Sequence, residues 1–155
     1  MIPISDPGAF TVDLLIADTV VCVAPTATLG AVAGVLIGNS IGAVVVGTQD
    51  NPAGIVSEHD IVRAVADGLD WATTAAEIAH TELFWTPSSN SVAGVATQMM
   101  DQYVRHILVE ENGRLAGIIS ARDLLGVYAI SDGVSGEDGD TYEDESSGDD
   151  RALSA

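Results

Sequence analysis

The sequence predicts an α/β protein of two homologous units, because it contains the same strand, turn and helix start twice within 155 residues. Residues 54–60 have the pattern Gly, two apolar residues, Ser, two further residues and Asp, and residues 117–123 repeat it 63 positions later. Each copy ends an apolar run and opens a pattern of apolar residues at helical spacing. A repeat of this kind determines the fold class before any single element does.

The repeat extends upstream of these two segments. The matched stretches are 41–46 with 104–109 at the same spacing, then 23–25 with 85–87 and 16–19 with 78–81 at a spacing of 62. The change in spacing predicts one additional residue in the helix between them. The chain therefore divides into a loose N-terminal lead-in (1–13), a first unit (14–68), a linker (69–75), a second unit (76–130) and a tail (131–155).

The elements of the first unit follow from its apolar runs and turn residues. We expect strands at 20–23, 41–46 and 53–57, a helix from 29 and a second helix at about 59–67. Thr26 or Thr28 is available to cap the first helix, because a side-chain oxygen there accepts unpaired backbone N–H groups. Gly38 and Asn39 are expected to end that helix, since both tolerate the left-handed conformation of a helix end.

The second unit repeats the order of strand, helix, two strands and helix. The expected strands are 83–85, 104–109 and 115–120; residues 87–90 precede the first helix, and the last helix runs to about 130. The pair Asn112-Gly113 predicts a tight hairpin between the last two strands. The expected fold is thus two β-α-β-β-α units related by a pseudo-twofold axis and packed through their sheets.

The charge is strongly negative, with 23 acidic residues against five arginines and a formal net charge of −18. Clusters of Lys and Arg hold phosphate backbones and anionic lipid surfaces, so the composition argues against nucleic acid or membrane as a partner. The tail, rich in Gly, Ser, Asp and Glu, carries −8 of this charge and is expected to be disordered. A solubilising role for it is favoured over binding a partner or mimicking nucleic acid.

The single cysteine, Cys22, cannot form an internal disulfide and lies in an apolar run, which favours a buried, inert thiol over a reactive one. A reducing, cytoplasmic setting fits this usage. The N-terminus lacks the charged start and apolar core of a signal peptide. Pro25 and several glycines interrupt the longest uncharged run, so no membrane span is expected.

The repeated Ser and Asp have a chemistry that suits a nucleotide. A helix N-terminus favours anions, and a carboxylate one turn along can accept two hydrogen bonds from the vicinal hydroxyls of a ribose. The alternative is simple helix capping by the same Ser and Asp. Spacing alone favours capping, whereas the doubling at equal spacing favours a binding site.

A short apolar strand followed by this Gly–Ser–Asp pattern, all of it doubled, resembles the tandem CBS-domain pair, also called the Bateman module, over about residues 14–130. The resemblance implies a stand-alone regulatory module that binds an adenosine derivative, such as AMP, ADP, ATP or S-adenosylmethionine, in a cleft between its units. It also implies a homodimer joined through helices, and the apolar faces at 29–37 and 92–100 suit that role. Carried over by position, the implied ligand-binding residues are Asp60 and Asp123 for the ribose, Ser57 and Ser120 for the phosphate, Ile55 and Ile118 beside the base, and Thr19 and Thr81 at its edge.

Basic residues near the two motifs add three candidate phosphate contacts, Arg105, Arg122 and His59. Arg122 could equally pair with nearby acids on a solvated helix face, and Arg63 is expected to do so. His106 could be a structural histidine on its strand. The first unit has Gly42 where the second has Arg105, so we expect two unequal sites, one of which takes a phosphorylated ligand better.

The predicted function is therefore regulatory sensing of an adenosine ligand, which alters a protein partner or the protein's own dimer. The negative charge favours AMP or a cationic adenosyl ligand over ATP without Mg²⁺, and no other cofactor is expected. The alternative is a scaffolding dimer that binds no ligand and presents the acidic tail to a protein. An enzyme is a distant third, since no zinc spacing, phosphate-binding loop or nucleophile motif is present.

Overall fold

The chain forms two three-stranded sheets flanked by helices, which confirms the predicted α/β architecture. This computed structural model describes residues 6–17 and 19–133. The predicted acidic tail lies outside the described residues except for positions 131–133, which belong to the last helix.

The two units have the same order of elements. The first contains β1 (Cys22–Val23), α1 (Leu29–Asn39), β2 (Ala43–Gly47), β3 (Pro52–Ser57) and α2 (Glu58–Ala66). The second contains α3 (Ala75–Ile78), β4 (Trp85–Pro87), α4 (Val92–Gln102), β5 (His106–Glu111), β6 (Arg114–Ser120) and α5 (Ala121–Gly133). Short 3-10 helices at Pro7–Ala9 and Val12–Leu14 precede β1. In each sheet the middle strand is parallel to the first strand and antiparallel to the last.

The strand registers show that the repeat spacing is 63 throughout the described residues, so the predicted change to 62 upstream is wrong. Cys22 pairs with Val45 in the first sheet, and Trp85 pairs with Leu108 in the second. The prediction matched short stretches by residue identity, whereas backbone hydrogen bonds fix which residues are equivalent. The first strand of the second unit is correspondingly β4 and not residues 83–85, because buried Thr86 pairs with Val109.

Each unit is completed by a segment from the start of the other sequence repeat. Val12 is fully buried in the core of the second unit, so the end of the predicted lead-in is packed. Ala75, at the matching position of the second repeat, is fully buried in the core of the first unit. Backbone hydrogen bonds hold both segments, from Val12 N–H to the Asn90 carbonyl at 3.0 Å and from Ala75 N–H to the Ala27 carbonyl at 2.7 Å.

The two sheets pack against each other through a small apolar cluster. Val45 of β2, Leu108 of β5 and Leu115 of β6 are its buried members, and Ile55 and Ile118 are partly buried against it. This cluster confirms the predicted packing of the units through their sheets. The neighbouring Cys22 is partly buried, and this burial raises the pKa of its thiol.

The N-terminus of α1 has the capping residue that the sequence predicts, whereas its C-terminus ends at a different residue. Thr28 accepts the Ala31 N–H and caps the N-terminus of α1. The left-handed residue at the C-terminus is Ser40, with φ of 54°, and not Gly38 or Asn39, because α1 continues through Asn39. Tyr103 takes the same role after α4, with φ of 55°.

The segments that each repeat contributes to the other unit, residues 12–16 and 75–79, are called the exchanged segments. Their packing can be tested at Gly117, the glycine of β6 that the first of them approaches closely. A Cβ at Gly117 would lie 2.6 Å from Ile16 Cβ, so Gly117→Ala forces β6 and residues 16–17 apart. We expect a loss of about 1–3 kcal/mol in the free energy of unfolding, measured by urea denaturation. Gly126→Ala is the control, since nothing lies within 4 Å of the added Cβ and helix propensity favours Ala. Equal stability of the two variants would contradict the close packing.

Candidate functional site

A cleft of about 920 Å³ lies between the two units, and the N-termini of α2 and α5 both line it. It brings together most of the sequence-predicted ligand residues. Those lining it are Thr19, Ser57, His59, Arg105, Ile118, Ser120, Arg122 and Asp123. The predicted residues Ile55, Asp60 and Thr81 do not line it.

The second motif presents its carboxylate to the cleft. Asp123 Oδ2 accepts hydrogen bonds from the Ser120 N–H and hydroxyl, both at 2.7 Å, and the Asp123 N–H donates to Ser120 Oγ at 3.2 Å. This is the reciprocal capping arrangement that the sequence left open as an alternative. Asp123 is nevertheless exposed, and its Oδ1 accepts no hydrogen bond from residues 6–17 or 19–133. Capping and ligand binding are therefore compatible at this motif.

The first motif is closed by a histidine that the sequence prediction did not include. Asp60 Oδ2 accepts the Ser57 N–H at 2.8 Å and the Ser57 hydroxyl at 2.7 Å, as in the second motif. Its other oxygen, Oδ1, lies 2.7 Å from His80 Nε2. The Asp60 side chain is only 4% exposed, whereas that of His80 is 55% exposed.

This pairing also changes the acidity of Asp60. Burial alone would raise the pKa of its carboxyl, but the two hydrogen bonds from Ser57 and the interaction with His80 together outweigh burial. The pKa of Asp60 is therefore held below its ordinary value of 3.8. The carboxylate of the first motif remains charged and internally paired at neutral pH.

Thr19 and Thr81, which the sequence analysis treated as equivalent, do not occupy equivalent positions of the repeat. With the spacing of 63, Thr19 corresponds to Glu82, and the two threonines occupy different positions in their units. Thr19 lines the cleft beside the second motif. Thr81 is exposed and follows His80, whose backbone pairs with Ile55 of β3.

Basic groups enter the cleft mainly from the second unit. Arg105 and His106 line it from the start of β5, and Arg122 lines it from the first turn of α5. His59 contributes from the first turn of α2. This unequal distribution agrees with the expectation that the two halves differ.

Two further residues line the cleft: Glu58, to which the sequence analysis gave no role, and His106, which it interpreted as a structural histidine. A Cβ at Gly42 would lie 3.1 Å from His106 Nε2, so the glycine makes room for the imidazole. Burial, and then the neighbouring Arg105, lower the pKa of His106 against the opposing effect of nearby acids including Asp123 and Glu58. In the sequence, Gly42 and Arg105 occupy equivalent positions of the repeat. This difference indicated that the two halves are unequal, but it did not show that the glycine makes room for His106.

No cluster of three or more His, Cys, Asp or Glu side chains suited to a metal ion occurs within the described ranges 6–17 and 19–133. In the same ranges, no helix is long and apolar enough to cross a membrane.

Two α/β units, each with a Ser–Asp helix start beside a shared cleft, define the class of tandem-repeat α/β modules. The sequence model described as "CBS domain" matches this chain twice, at residues 13–67 and 75–130. The chain belongs to the CBS-domain family and carries the tandem pair that the sequence repeat predicted.

Several relatives share this architecture. Hypoxic response protein 1 of Mycobacterium tuberculosis is 32% identical over 108 residues, which cover 68% of this chain and 76% of that protein. A CBS domain protein from Pyrobaculum aerophilum, solved in complex with AMP, is 33% identical to this chain with a TM-score of 0.66. The match covers 77% of this chain and 99% of that protein's chain. Hypoxic Response Protein I, in a crystal structure with two coordinated zinc ions, is 30% identical to this chain with a TM-score of 0.61. The match covers 76% of this chain and 98% of that protein's chain.

The Asp60 pairing predicts a pH-dependent contribution to stability. A carboxyl whose pKa is lowered by folding stabilises the fold above its unfolded pKa, and this contribution is lost as the pH falls through the folded value. Asp60→Asn should therefore unfold at lower urea than the wild type at neutral pH, and the difference should narrow below about pH 3.8.

Urea unfolding of both proteins across this pH range, at low protein concentration, tests the expectation. Asp123→Asn is the matched control, because the carboxylate at that repeat position is exposed and should contribute less at neutral pH. A difference between Asp60→Asn and the wild type that does not change with pH would contradict the assigned pairing.

Proposed function

We propose that this CBS pair is a regulatory module that binds an adenosine nucleotide, with AMP as the preferred form, in the cleft beside its second motif. The observation that carries the proposal is the exposed carboxylate of Asp123, which lies at a helix N-terminus and lines the same cleft as Arg105. The role has no catalytic step and is proposed for the cytoplasm, where Cys22 would remain reduced.

Each part of the nucleotide has a matching group in the cleft. Oδ1 of Asp123 can accept a hydrogen bond from a ribose hydroxyl. The phosphate can approach the N-terminus of α5, where backbone N–H groups and the helix dipole favour an anion, with Arg105 and Arg122 in the same cleft. Ile118 and Thr19 also line the cleft and would lie against the base.

The charge of the chain and the ligand of a related protein both favour AMP, with one phosphate, over ATP, with three. Glu58 and Asp123 line the cleft together with the basic groups, and the whole chain is strongly acidic, so a highly anionic ligand would be repelled. The Pyrobaculum aerophilum relative solved with AMP supports a mononucleotide as the first ligand to test. S-adenosylmethionine, which is cationic at sulfur, is the second.

Thermal unfolding with AMP, ADP, ATP, NADH and S-adenosylmethionine tests the proposal. A ligand at about 100 times its Kd adds about 2.7 kcal/mol to stability, which raises Tm by several degrees for a chain of this size. We expect the largest shift with AMP and its loss in Asp123→Ala. The alternative of a scaffold that binds no ligand is favoured by the Ser120–Asp123 hydrogen bonds, because helix capping alone accounts for both residues. It predicts that Asp123→Ala lowers stability while no compound shifts Tm.

The contribution of Arg105 to phosphate binding has a matched comparison in Arg63. Arg105 lines the cleft, whereas Arg63 lies on the exposed face of α2 and does not. Arg105→Ala should weaken AMP binding by about ten-fold, the equivalent of roughly 1.4 kcal/mol, and Arg63→Ala should leave it unchanged. Calorimetric titration of both variants gives the affinities, and equal effects would remove Arg105 from the site.

Regulation would operate through a homodimer joined by the exposed apolar ends of α1 and α4. Ile37 of α1 is 78% exposed and Met100 of α4 is 76% exposed, and Tyr103 follows α4 at 95%. Such side chains are candidates for burial in a subunit interface. Ligand occupancy would alter the dimer only if the two arrangements bind the ligand with different affinity.

The dimer is tested by light scattering during size-exclusion chromatography at micromolar protein concentration. We expect a dimeric mass for the wild type and a monomeric mass for the double variant Ile37→Glu and Met100→Glu, because buried carboxylates would oppose association. Leu14→Glu is the control, since Leu14 is similarly exposed at 66% but lies outside both helices. A monomeric wild type would contradict this interface.

A further inference from the structure

The two motifs have the same Ser–Asp geometry but differ in what lies against the carboxylate. At the first motif, His80 Nε2 is 2.7 Å from Asp60 Oδ1. Oδ2 is already used by the Ser57 N–H and hydroxyl. Both oxygens of Asp60 are therefore engaged within the protein, and the side chain is almost completely buried.

His80 is held in this position by its backbone as well as by its ring. Its N–H donates to the Ile55 carbonyl and its carbonyl accepts the Ile55 N–H, both at 3.0 Å. A Cβ at Gly54, the preceding residue of β3, would lie 3.1 Å from the His80 carbonyl oxygen and 2.9 Å from Ala79 Cβ. The segment 79–80 is thus packed closely along β3, and the imidazole occupies the space beside Asp60.

The residue at the same place in the other half is Ala17. Ile16 packs against Gly117 as Ala79 packs against Gly54, and the spacing of 63 then equates Ala17 with His80. Ala17 lines the cleft, and its methyl side chain has no donor to offer the carboxylate of Asp123. Asp60 is therefore paired with an imidazole, whereas the equivalent residue on the side of Asp123 carries no such group.

We propose that His80 closes the first motif by substituting for the ribose hydroxyls of a ligand, so that each chain takes one adenosine ligand, at the second motif. This inference rests on the proposed function and specifies the ligand number and the residue that sets it. His80 is a specificity-determining residue: it contacts the carboxylate that would otherwise be available to a second ligand.

Reciprocal exchange of the two residues tests the proposal. Isothermal titration calorimetry with AMP should give one site per chain for the wild type and two for His80→Ala. Asp60→Asn added to His80→Ala should remove only the new site. Ala17→His should weaken binding at the second motif by at least about ten-fold, because the added imidazole can pair with Asp123. Glu82→Ala is the control for a change at a nearby exposed position and should retain one site.

The outcomes distinguish closure of the first motif by His80 from the proposed binding of an adenosine nucleotide. Two sites in the wild type, or one site in His80→Ala, would overturn closure by His80 while leaving the proposed function intact. A wild type that binds no AMP would contradict the proposed function. In that case, a site gained in His80→Ala would still support closure, and its absence would refute closure too. Thermal unfolding of each variant establishes that it is folded.

Discussion

The close packing of two exchanged segments along the last strand of each sheet is the constraint on which the remaining structure depends. Residues 12–16 complete the core of the second unit, and residues 75–79 complete that of the first. Both approaches require a glycine, Gly117 in one sheet and Gly54 in the other, because a Cβ at either position would overlap the incoming chain. Neither sequence repeat contains all the residues that its own sheet needs.

The same exchange positions the residues that make the two motifs different. It carries Ala17 and Thr19 to the cleft beside Asp123, and it carries His80 to Asp60. The Ser–Asp hydrogen bonds are nearly identical in the two units, so the helix starts alone do not distinguish them. The contact that distinguishes the two carboxylates comes from a residue distant in the sequence: His80 lies 20 positions from Asp60, and its counterpart Ala17 lies 106 positions from Asp123.

The repeated motif and the hairpin at Asn112 were predictable from the sequence, because turn chemistry and apolar alternation act over short distances. The α/β class followed from the doubling. What could not be predicted was which half each opening segment would join, since both halves offer similar apolar faces. The match of Thr19 with Thr81 failed for the related reason that identity over four residues carries less information than a hydrogen-bonded register. His80 was missed because its partner, Asp60, belongs to a distant element.

The exchanged segments bear on how such a chain could have arisen. A single ancestral unit of this architecture would leave its core incomplete, and two copies would have to trade their opening segments to become stable. That association would depend on protein concentration. Duplication within one gene would make the trade intramolecular and independent of concentration. It would also free the two copies to diverge, so that one position could become histidine and the other alanine within the same polypeptide.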